Sequence, residues 1–380
     1  MKSPTHILLS ALIASLAVGL PSRIASQQPG GVHIDTFTLD AVRRAGSDQD
    51  VPIHDLQLIR MIGDSASFGF VTDMAVVGNS LLVADGLMVP RLVLVDLVSG
   101  EVARRFGNSG QGPGEFAFPR SLAAVEAGAQ GAVGFRVYDP QNRRLSWYRF
   151  AEGEEPRLER EETVRVDALI QHLHGRGGQP GYVGSGLFGE SHALIELDTL
   201  MEVQRRIWIP PAVGPRELDH GGGLIDLNLA HLAVRPGSSQ AVVVYQEVNH
   251  IVFVDLEHGT FHVSSGPSAT RPVYEVRDGN FGFVRGEHEM AYVGVEATGR
   301  YVYALFCGCA FDVRAGERSL PHEVHVFDWR GNVVAALRLD RRVTAIEPSS
   351  DDTVLWAYFE EPIPLVGEWR LPARLAEGGP

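Results

Sequence analysis

Short apolar stretches alternate with polar residues along most of this chain, and the pattern recurs. The segment 91–107 has alternating apolar residues, an aspartate, a Ser-Gly turn and a second alternating run, which is the pattern of a β-hairpin. The same pattern returns at 192–208, 250–266 and 323–339, and in a degenerate copy at 144–160. The chain is therefore predicted to be all-β and built from repeats.

Each hairpin is one half of a larger unit. A second pair of alternating runs precedes three of the hairpins, at 70–85, 230–246 and 291–306, so a unit contains about four short strands. The steps between successive units are 54, 48, 57 and 73 residues, counted between Asp96, Phe150, Asp198, Asp255 and Asp328. An insertion at 307–321 accounts for the long last step. Four strands at this spacing are typical of a β-propeller blade.

The number of blades follows from the two ends of the repeat region. Residues 343–372 supply three more strands, and 54–64 is a strand-like run with no partner before it. We therefore predict a six-bladed β-propeller whose N-terminal strand closes the last blade, which removes exposed sheet edges. A pair of β-sandwich domains is the alternative, but a sandwich does not require four strands to recur regularly.

The first residues have the pattern of a signal peptide. Lys2 precedes an apolar run at 6–20, and small residues offer a cleavage site near Ser26. The run of about 15 residues is shorter than the ~20 that a membrane span needs, and no cysteine follows it to carry a lipid anchor. The predicted organisation is a signal peptide, an N-terminal extension, the propeller and a C-terminal tail, at 1–26, 27–53, 54–372 and 373–380. We expect a periplasmic or extracellular protein with no transmembrane segment in its mature form.

The charge balance argues against nucleic acid as a partner. Acidic residues number 47 against 33 basic ones, a formal net charge of −14, and no basic stripe with interleaved aromatic residues offsets it. Such a surface repels a phosphate backbone. The partner is instead expected to be a small molecule, a glycan or a protein, bound by a monomer.

Four glycines and two prolines lie close together at 106–119. No lysine follows them as a phosphate loop requires, and the next residues continue as a strand and not as a helix. We interpret the stretch as a connector between blades, in which glycines allow positive φ angles and Phe116 and Phe118 fill space between blades.

Three segments resemble the bacterial exported six-bladed propellers of the NHL and TolB-like kind. In 106–119 the chain is similar to the family's G-x-GPGE/Q-F…P stretch, and 300–308 and 323–334 resemble the family's late blades. The likeness covers roughly residues 50–372 and implies the propeller fold. It implies little about function, because much of the group has no assigned activity and one fold hosts many functions. The chain departs from many relatives in lacking the lipoprotein cysteine and in having the sequence FCGC at 306–309.

Propeller geometry indicates where a ligand would bind. The innermost strand of each blade lines the central channel, and polar groups near one mouth would converge on a concave site. The residues predicted at these positions are Asp73, Arg120, His172, His231, Glu289 and Thr344. The first hypothesis for function is therefore an exported binding or scaffold module. Polar residues lining a hydrated channel, without a ligand, are the plainer alternative.

A metal-dependent enzyme is the second hypothesis, of the lactonase-like hydrolase or lyase class. Loose groups of histidines and acids are compatible with a divalent metal in the channel. These groups are His172 and His174 with Glu190 and His192; Glu287, His288 and Glu289; and Asp219, His220 and Asp226 with His231. Histidines that are exposed or hydrogen-bonded are the plainer interpretation of such spacing. No nucleophile–base set stands out, so no catalytic residue is assigned.

Cys307 and Cys309 are the only cysteines. Residues two apart on a regular strand lie at the edge of disulfide reach, and a bulge at Gly308 would bring them closer. The sequence leaves open two buried thiols, a disulfide, and a metal or redox role.

Overall fold

In the computed structural model of the protein, the described residues are 51–378 except 65–66, 126–132, 152, 167, 189–190, 210–228, 269, 271–272, 278–279, 285–286 and 311–320. At 187–188, 191–193, 274–277 and 280–283 the backbone alone is described. The expected signal peptide, most of the extension, most of the insertion and the last two residues of the tail lie outside the described residues. Within the described residues no helix is long and apolar enough to cross a membrane.

The described chain is a six-bladed β-propeller, as the repeats predict. Four blades consist of four consecutive antiparallel strands. The strands of blades one and two are β3 (Val71–Val77), β4 (Ser80–Asp85), β5 (Leu92–Asp96), β6 (Val102–Phe106), β7 (Arg120–Val125), β8 (Val133–Asp139), β9 (Arg144–Phe150) and β10 (Arg157–Thr163). Those of blades three and four are β11 (Leu169–Gly175), β12 (Tyr182–Phe188), β13 (Ser191–Leu197), β14 (Val203–Trp208), β15 (Ala230–Val234), β16 (Gln240–Tyr245), β17 (Ile251–Asp255) and β18 (Thr260–Ser264).

Blades five and six each include a strand from the start of the chain. Blade five is β21 (Glu289–Ala297), β22 (Tyr301–Ala310), β23 (Glu323–Asp328) and β24 (Val333–Leu339), with β1 (Ile53–Leu56) parallel to β24. Blade six is β25 (Ala345–Pro348), β26 (Val354–Phe359) and β27 (Leu365–Arg370), with β2 (Leu58–Ile62) antiparallel to β27. A hairpin of β19 (Tyr274–Arg277) and β20 (Asn280–Phe283) precedes blade five, and helix α1 (Ala373–Glu377) follows blade six.

The closure of the ring by the N-terminal segment is confirmed, with one difference. The run 54–64, expected as one strand, contains parts of β1 and β2, and the two pair with different blades. Because each covers the outer edge of a sheet, one short segment protects two edges that would otherwise have unpaired backbone groups. The insertion also starts later than expected, since β22 continues through Cys309 to Ala310.

The core lies between the blades as six apolar clusters, one at each blade-to-blade interface. The position of strand β16 between two blades explains why its sequence is continuously apolar. Ala241, Val243 and Tyr245 pack toward blade three, whereas Val242 and Val244 pack toward blade five. Successive side chains point to opposite faces, so a strand with a blade on either side is apolar at every position.

Candidate functional site

The innermost strands β3, β7, β11, β15, β21 and β25 contact one another in sequence and form a closed ring around the central channel. All begin at the same end of the channel, because each opens its blade in the same direction. Side chains at equivalent depths on these strands are therefore brought together from segments far apart in sequence.

A buried aspartate at the end of β4 fixes the chain where it enters blade one. The Asp85 carboxylate accepts backbone N–H groups from Gly69 at 2.6 Å, from Phe70 at 3.2 Å, from Leu87 at 2.8 Å and from Met88 at 2.7 Å. The side chain is fully buried. It ties the segment before β3 to the turn after β4 and so positions the start of the inner strand.

The same arrangement recurs in blade two. Asp139, also fully buried, accepts N–H groups from Ala117 at 2.6 Å, Phe118 at 3.1 Å, Gln141 at 2.9 Å and Asn142 at 3.1 Å. The sequence analysis missed both aspartates. A signal was present, because each follows an apolar second strand and precedes a turn and an arginine.

The glycine-rich stretch 106–119 joins blade one to blade two, which is the connector role that the sequence indicates. Gly107 has φ +76°, and a Cβ there would lie 2.9 Å from the ring of Phe116. Phe116 is fully buried between the two blades. Arg144 donates to the carbonyl oxygen of Gly112 at 2.8 Å, which leaves the loop folded against blade two.

Asp73 of β3 and Arg120 of β7 lie next to each other in the channel. The Asp73 carboxylate accepts the N–H of Leu122 at 2.8 Å and that of Met74 at 2.8 Å. Burial raises the pKa of Asp73 to about 6, and these hydrogen bonds and the charge of Arg120 act against the rise. The Arg120 guanidinium lies 5.3 Å from the centre of the Phe118 ring, and burial lowers its pKa.

His172 of β11 and His231 of β15 continue the arrangement around the channel. Their rings lie 5.3 Å apart between centres. Burial lowers the pKa of His231 to about 3, and the nearby charge of Arg120 contributes to the fall. His231 is therefore neutral at physiological pH. Four predicted residues, from blades one to four, are thus brought together at one level of the channel.

Glu289 and Thr344, the other two predicted residues, do not join this group. Glu289, the first residue of β21, is exposed, and Thr344 directly precedes β25 with its hydroxyl buried and without a hydrogen-bond partner among the described residues. The acids that blades five and six bring close to Asp73 are instead Glu296 and Glu347, which were not among the predicted residues.

Glu347 of blade six and Glu296 of blade five lie close enough to Asp73 for the charges to act on one another. The Glu347 carboxyl accepts the N–H of Val76 at 2.9 Å. Burial raises its pKa to about 8, with a further contribution from the charge of Asp73. Burial also raises the pKa of Glu296 well above its usual range, as do the charges of Asp73 and Glu347. Glu347 is the one acid in the short strand β25, and Glu296 follows a run of six residues without a charge in β21, which is the signal that the sequence offered for both.

His174 and Arg136 are two further buried basic groups, and the charge of Arg136 acts on His174. Burial lowers the pKa of His174 to about 3, and the charge of Arg136 adds to the effect. Arg136 extends from β8 to β11, where a Cβ on Gly175 would lie 2.4 Å from its Nη1. It also lies 5.9 Å from the centre of the Tyr182 ring. Gly175 therefore leaves the space in which this guanidinium sits.

The groups considered for a metal do not come together in the described part of the chain. There, no three His, Cys, Asp or Glu side chains have an arrangement that could hold a metal ion. His288 is buried against Glu247, with 2.5 Å between Nε2 and Oε2, whereas Glu287 and Glu289 are exposed. Glu190, the His192 side chain, Asp219, His220 and Asp226 lie outside the described residues.

Cys307 and Cys309 form a disulfide near the end of β22. Their Cα atoms are 4.9 Å apart, and Gly308 between them has φ +54°. The pairing with β21 shifts register next to this point, so β22 bulges where the two cysteines meet.

One family model matches part of the chain and agrees with the propeller fold. Residues 234–351 match the family model described as TolB-like 6-blade propeller-like. Two similar solved structures are the β-propeller domain of Cps50 (Swd1) from Myceliophteria thermophila and the calcium-binding protein regucalcin from Agrobacterium tumefaciens. The first is 13% identical, covers 83% of this chain and 100% of its own, and has a TM-score of 0.45. The second is 10% identical, covers 84% and 95%, and has a TM-score of 0.47. No curated protein matches the chain.

Proposed function

We propose that this protein is an exported β-propeller binding module that recognises its ligand in the central channel. Export rests on the amino-terminal pattern of Lys2, the apolar run 6–20 and the small residues near Ser26. Recognition in the channel rests on the convergence of polar side chains from the innermost strands.

The observation that supports binding most strongly is the state of Arg120. Its Nε is buried and has no hydrogen-bond partner among the described residues, and the charges of Asp73 and Asp139 act on the guanidinium without forming an ion pair with it. Burying such donors without partners is costly, and a ligand with an acceptor group would satisfy them. Asp73 and neutral His231 lie beside it and supply further hydrogen-bonding groups.

Ligand-dependent stabilisation tests the proposal. A ligand that binds only the folded state raises Tm by mass action. We expect one or more members of a panel of sugars, amino acids, organic acids and peptides to raise the Tm of the purified protein. The substitution Arg120→Gln should weaken that ligand by about tenfold or more, because a hydrogen bond to a charged group is lost.

The control is Arg157→Gln, since Arg157 is exposed on the outermost strand β10 and should leave binding unchanged. The proposal fails if no class of compound stabilises the protein, or if the effect of a stabilising compound is indifferent to Arg120→Gln.

A further inference from the structure

Charged and titratable groups are distributed unevenly around the channel. Blades two, three and four contribute basic groups, namely Arg120, Arg136, His172, His174 and His231. The one acid of these blades whose charge acts on Arg120 among the groups described above is Asp139, which is occupied by backbone N–H groups. Blades five, six and one contribute only acids, namely Glu296, Glu347 and Asp73. Because the blades follow one another around the ring, the channel has one contiguous basic half and one contiguous acidic half.

The two halves meet at Asp73 and Arg120, whose charges act on each other without a direct ion pair. Among the described residues, neither Arg120 nor Arg136 forms an ion pair, and no donor reaches the carboxyl group of Glu296. The Nε atoms of both arginines and the Nε2 of His174 are buried without hydrogen-bond partners in the same part of the chain. Most surface arginines in this structure do have carboxylate or carbonyl partners, as Arg300 has Asp352 at 2.8 Å.

We propose that the channel binds a zwitterionic small molecule, with its carboxylate toward Arg120 and Arg136 and its ammonium group toward Glu296, Glu347 and Asp73. This inference rests on the proposed binding function and names the chemical class of its ligand. Guanidinium groups match the geometry of a carboxylate, and grouped carboxyl oxygens accept the N–H bonds of an ammonium group.

The pKa values of the channel acids fit this ligand. The pKa of Glu347 is raised to about 8, so this acid holds a proton at neutral pH. The pKa of Asp73 is raised to about 6, and burial also raises the pKa of Glu296 well above its usual range. A cation placed among them favours their ionised forms. Binding of the ammonium group should therefore release protons, and affinity should rise as the pH rises toward about 8.

Few groups affect the titration of Glu347. Asp73 on β3 and Glu296 on β21 are the charged or titratable groups that act on it, and the N–H of Val76 binds its carboxyl. Burial lowers the pKa of His174 and of His231 to about 3, so these two histidines of the basic half stay neutral across the same interval.

Matched ligands test the proposal directly. The probes are the standard L-amino acids, glycylglycine, γ-aminobutyrate and longer ω-amino acids, each compared with its N-acetyl derivative and its amide. N-acetylation removes the ammonium group and amidation removes the carboxylate. We expect at least one zwitterion to bind, and either modification to weaken it by about tenfold or more. Calorimetry in buffers of different ionisation enthalpy should show proton release.

Variants test which residues bind the carboxylate of the ligand and which bind its ammonium group. Arg120→Gln should reduce the penalty of amidation, because Arg136 alone then faces the carboxylate. Glu347→Gln should reduce both the proton release and the penalty of N-acetylation, because Glu296 and Asp73 remain. The controls Arg157→Gln and Glu155→Gln change exposed residues on the outermost strand of blade two and the turn before it. Since Glu347 holds a proton at neutral pH, glutamine preserves its shape and charge, and an unchanged Tm at that pH shows that the variant is folded.

The outcomes separate this inference from the proposed function. A sugar or a simple carboxylate that binds in an Arg120-dependent manner, while all zwitterions fail, overturns the inference and leaves a binding module. Binding of a zwitterion with equal affinity for its amide and N-acetyl forms also overturns it. Failure of every compound class overturns both.

Discussion

Single residues in this propeller serve either the backbone or the channel. Asp85 and Asp139 are buried carboxylates that receive four backbone N–H groups each, and so hold the chain where it enters a blade. Asp73 and Glu347 receive fewer N–H groups, and for both of them burial raises the pKa despite these hydrogen bonds. The number of backbone partners thus separates structural acids from candidate ligand-binding ones.

A first prediction concerns Asp85. Asp85→Ala leaves four buried or partly buried N–H groups without an acceptor, so the free energy of unfolding should fall by about 2–4 kcal/mol. Asp96→Ala is the matched change in the same blade, since Asp96 accepts the N–H groups of Val98 and Ser99 in an exposed hairpin. Its effect in urea unfolding should be much smaller. Equal losses for the two variants would contradict the role given to Asp85.

At the scale of elements, the short strand β2 closes the ring of blades. Five residues from the start of the chain complete blade six, and their burial alternates. Ile62 is fully buried in the cluster between blades six and one, whereas Ile59 is 54% exposed. The strand therefore contributes both a covered edge and an apolar side chain to the junction at which the ring closes.

The two isoleucines allow a test of that closure within one strand. Ile62→Ala should lower the free energy of unfolding by about 2–4 kcal/mol, because it leaves a cavity between two blades. Ile59→Ala should change it by no more than about 0.5 kcal/mol. Chemical unfolding of both variants measures the difference, and a comparable loss at Ile59 would show that β2 does not pack as described.

At the scale of the whole molecule, the channel concentrates acids whose ionised forms are disfavoured. A carboxyl with a raised pKa in the folded state binds its proton more tightly there than in the unfolded chain. The stability it contributes is present at low pH and is lost as the pH rises through the folded pKa. For Glu347 this interval runs from the ordinary 4.5 to about 8. The pKa values of His174 and His231, lowered to about 3, act in the opposite direction at lower pH.

The comparison of wild type with Glu347→Gln isolates this contribution. The variant carries no titrating group at that position, so its free energy of unfolding relative to wild type should increase between pH 4.5 and about 8. One pKa unit corresponds to about 1.4 kcal/mol, and we expect a relative gain of at least that size. Urea unfolding across this interval, with Glu155→Gln as the exposed control, measures it. A difference that is constant with pH would show that Glu347 does not titrate as described.

The candidate site was predictable in part. Asp73, Arg120, His172 and His231 were found because each lies near the start of an inner strand, which the repeat locates. The same rule failed in blade five, where β21 has nine residues and two shifts of register against β22. Its channel acid is Glu296, the eighth residue of the strand, and not Glu289. Bulges change depth without leaving a trace in the apolar pattern.

The sequence by itself determined the number of blades, the closure by the N-terminal segment and the connector at 106–119. These features depend on local periodicity and on turn residues, which a strand and its neighbour express in the order of the chain. Only the tertiary structure decided which polar groups share the channel, that β1 and β2 cover different blades, and that the basic and acidic groups occupy opposite halves. Those features depend on the depth and direction of side chains from strands far apart in sequence, and burial there shifts each group's pKa in a way that no single segment encodes.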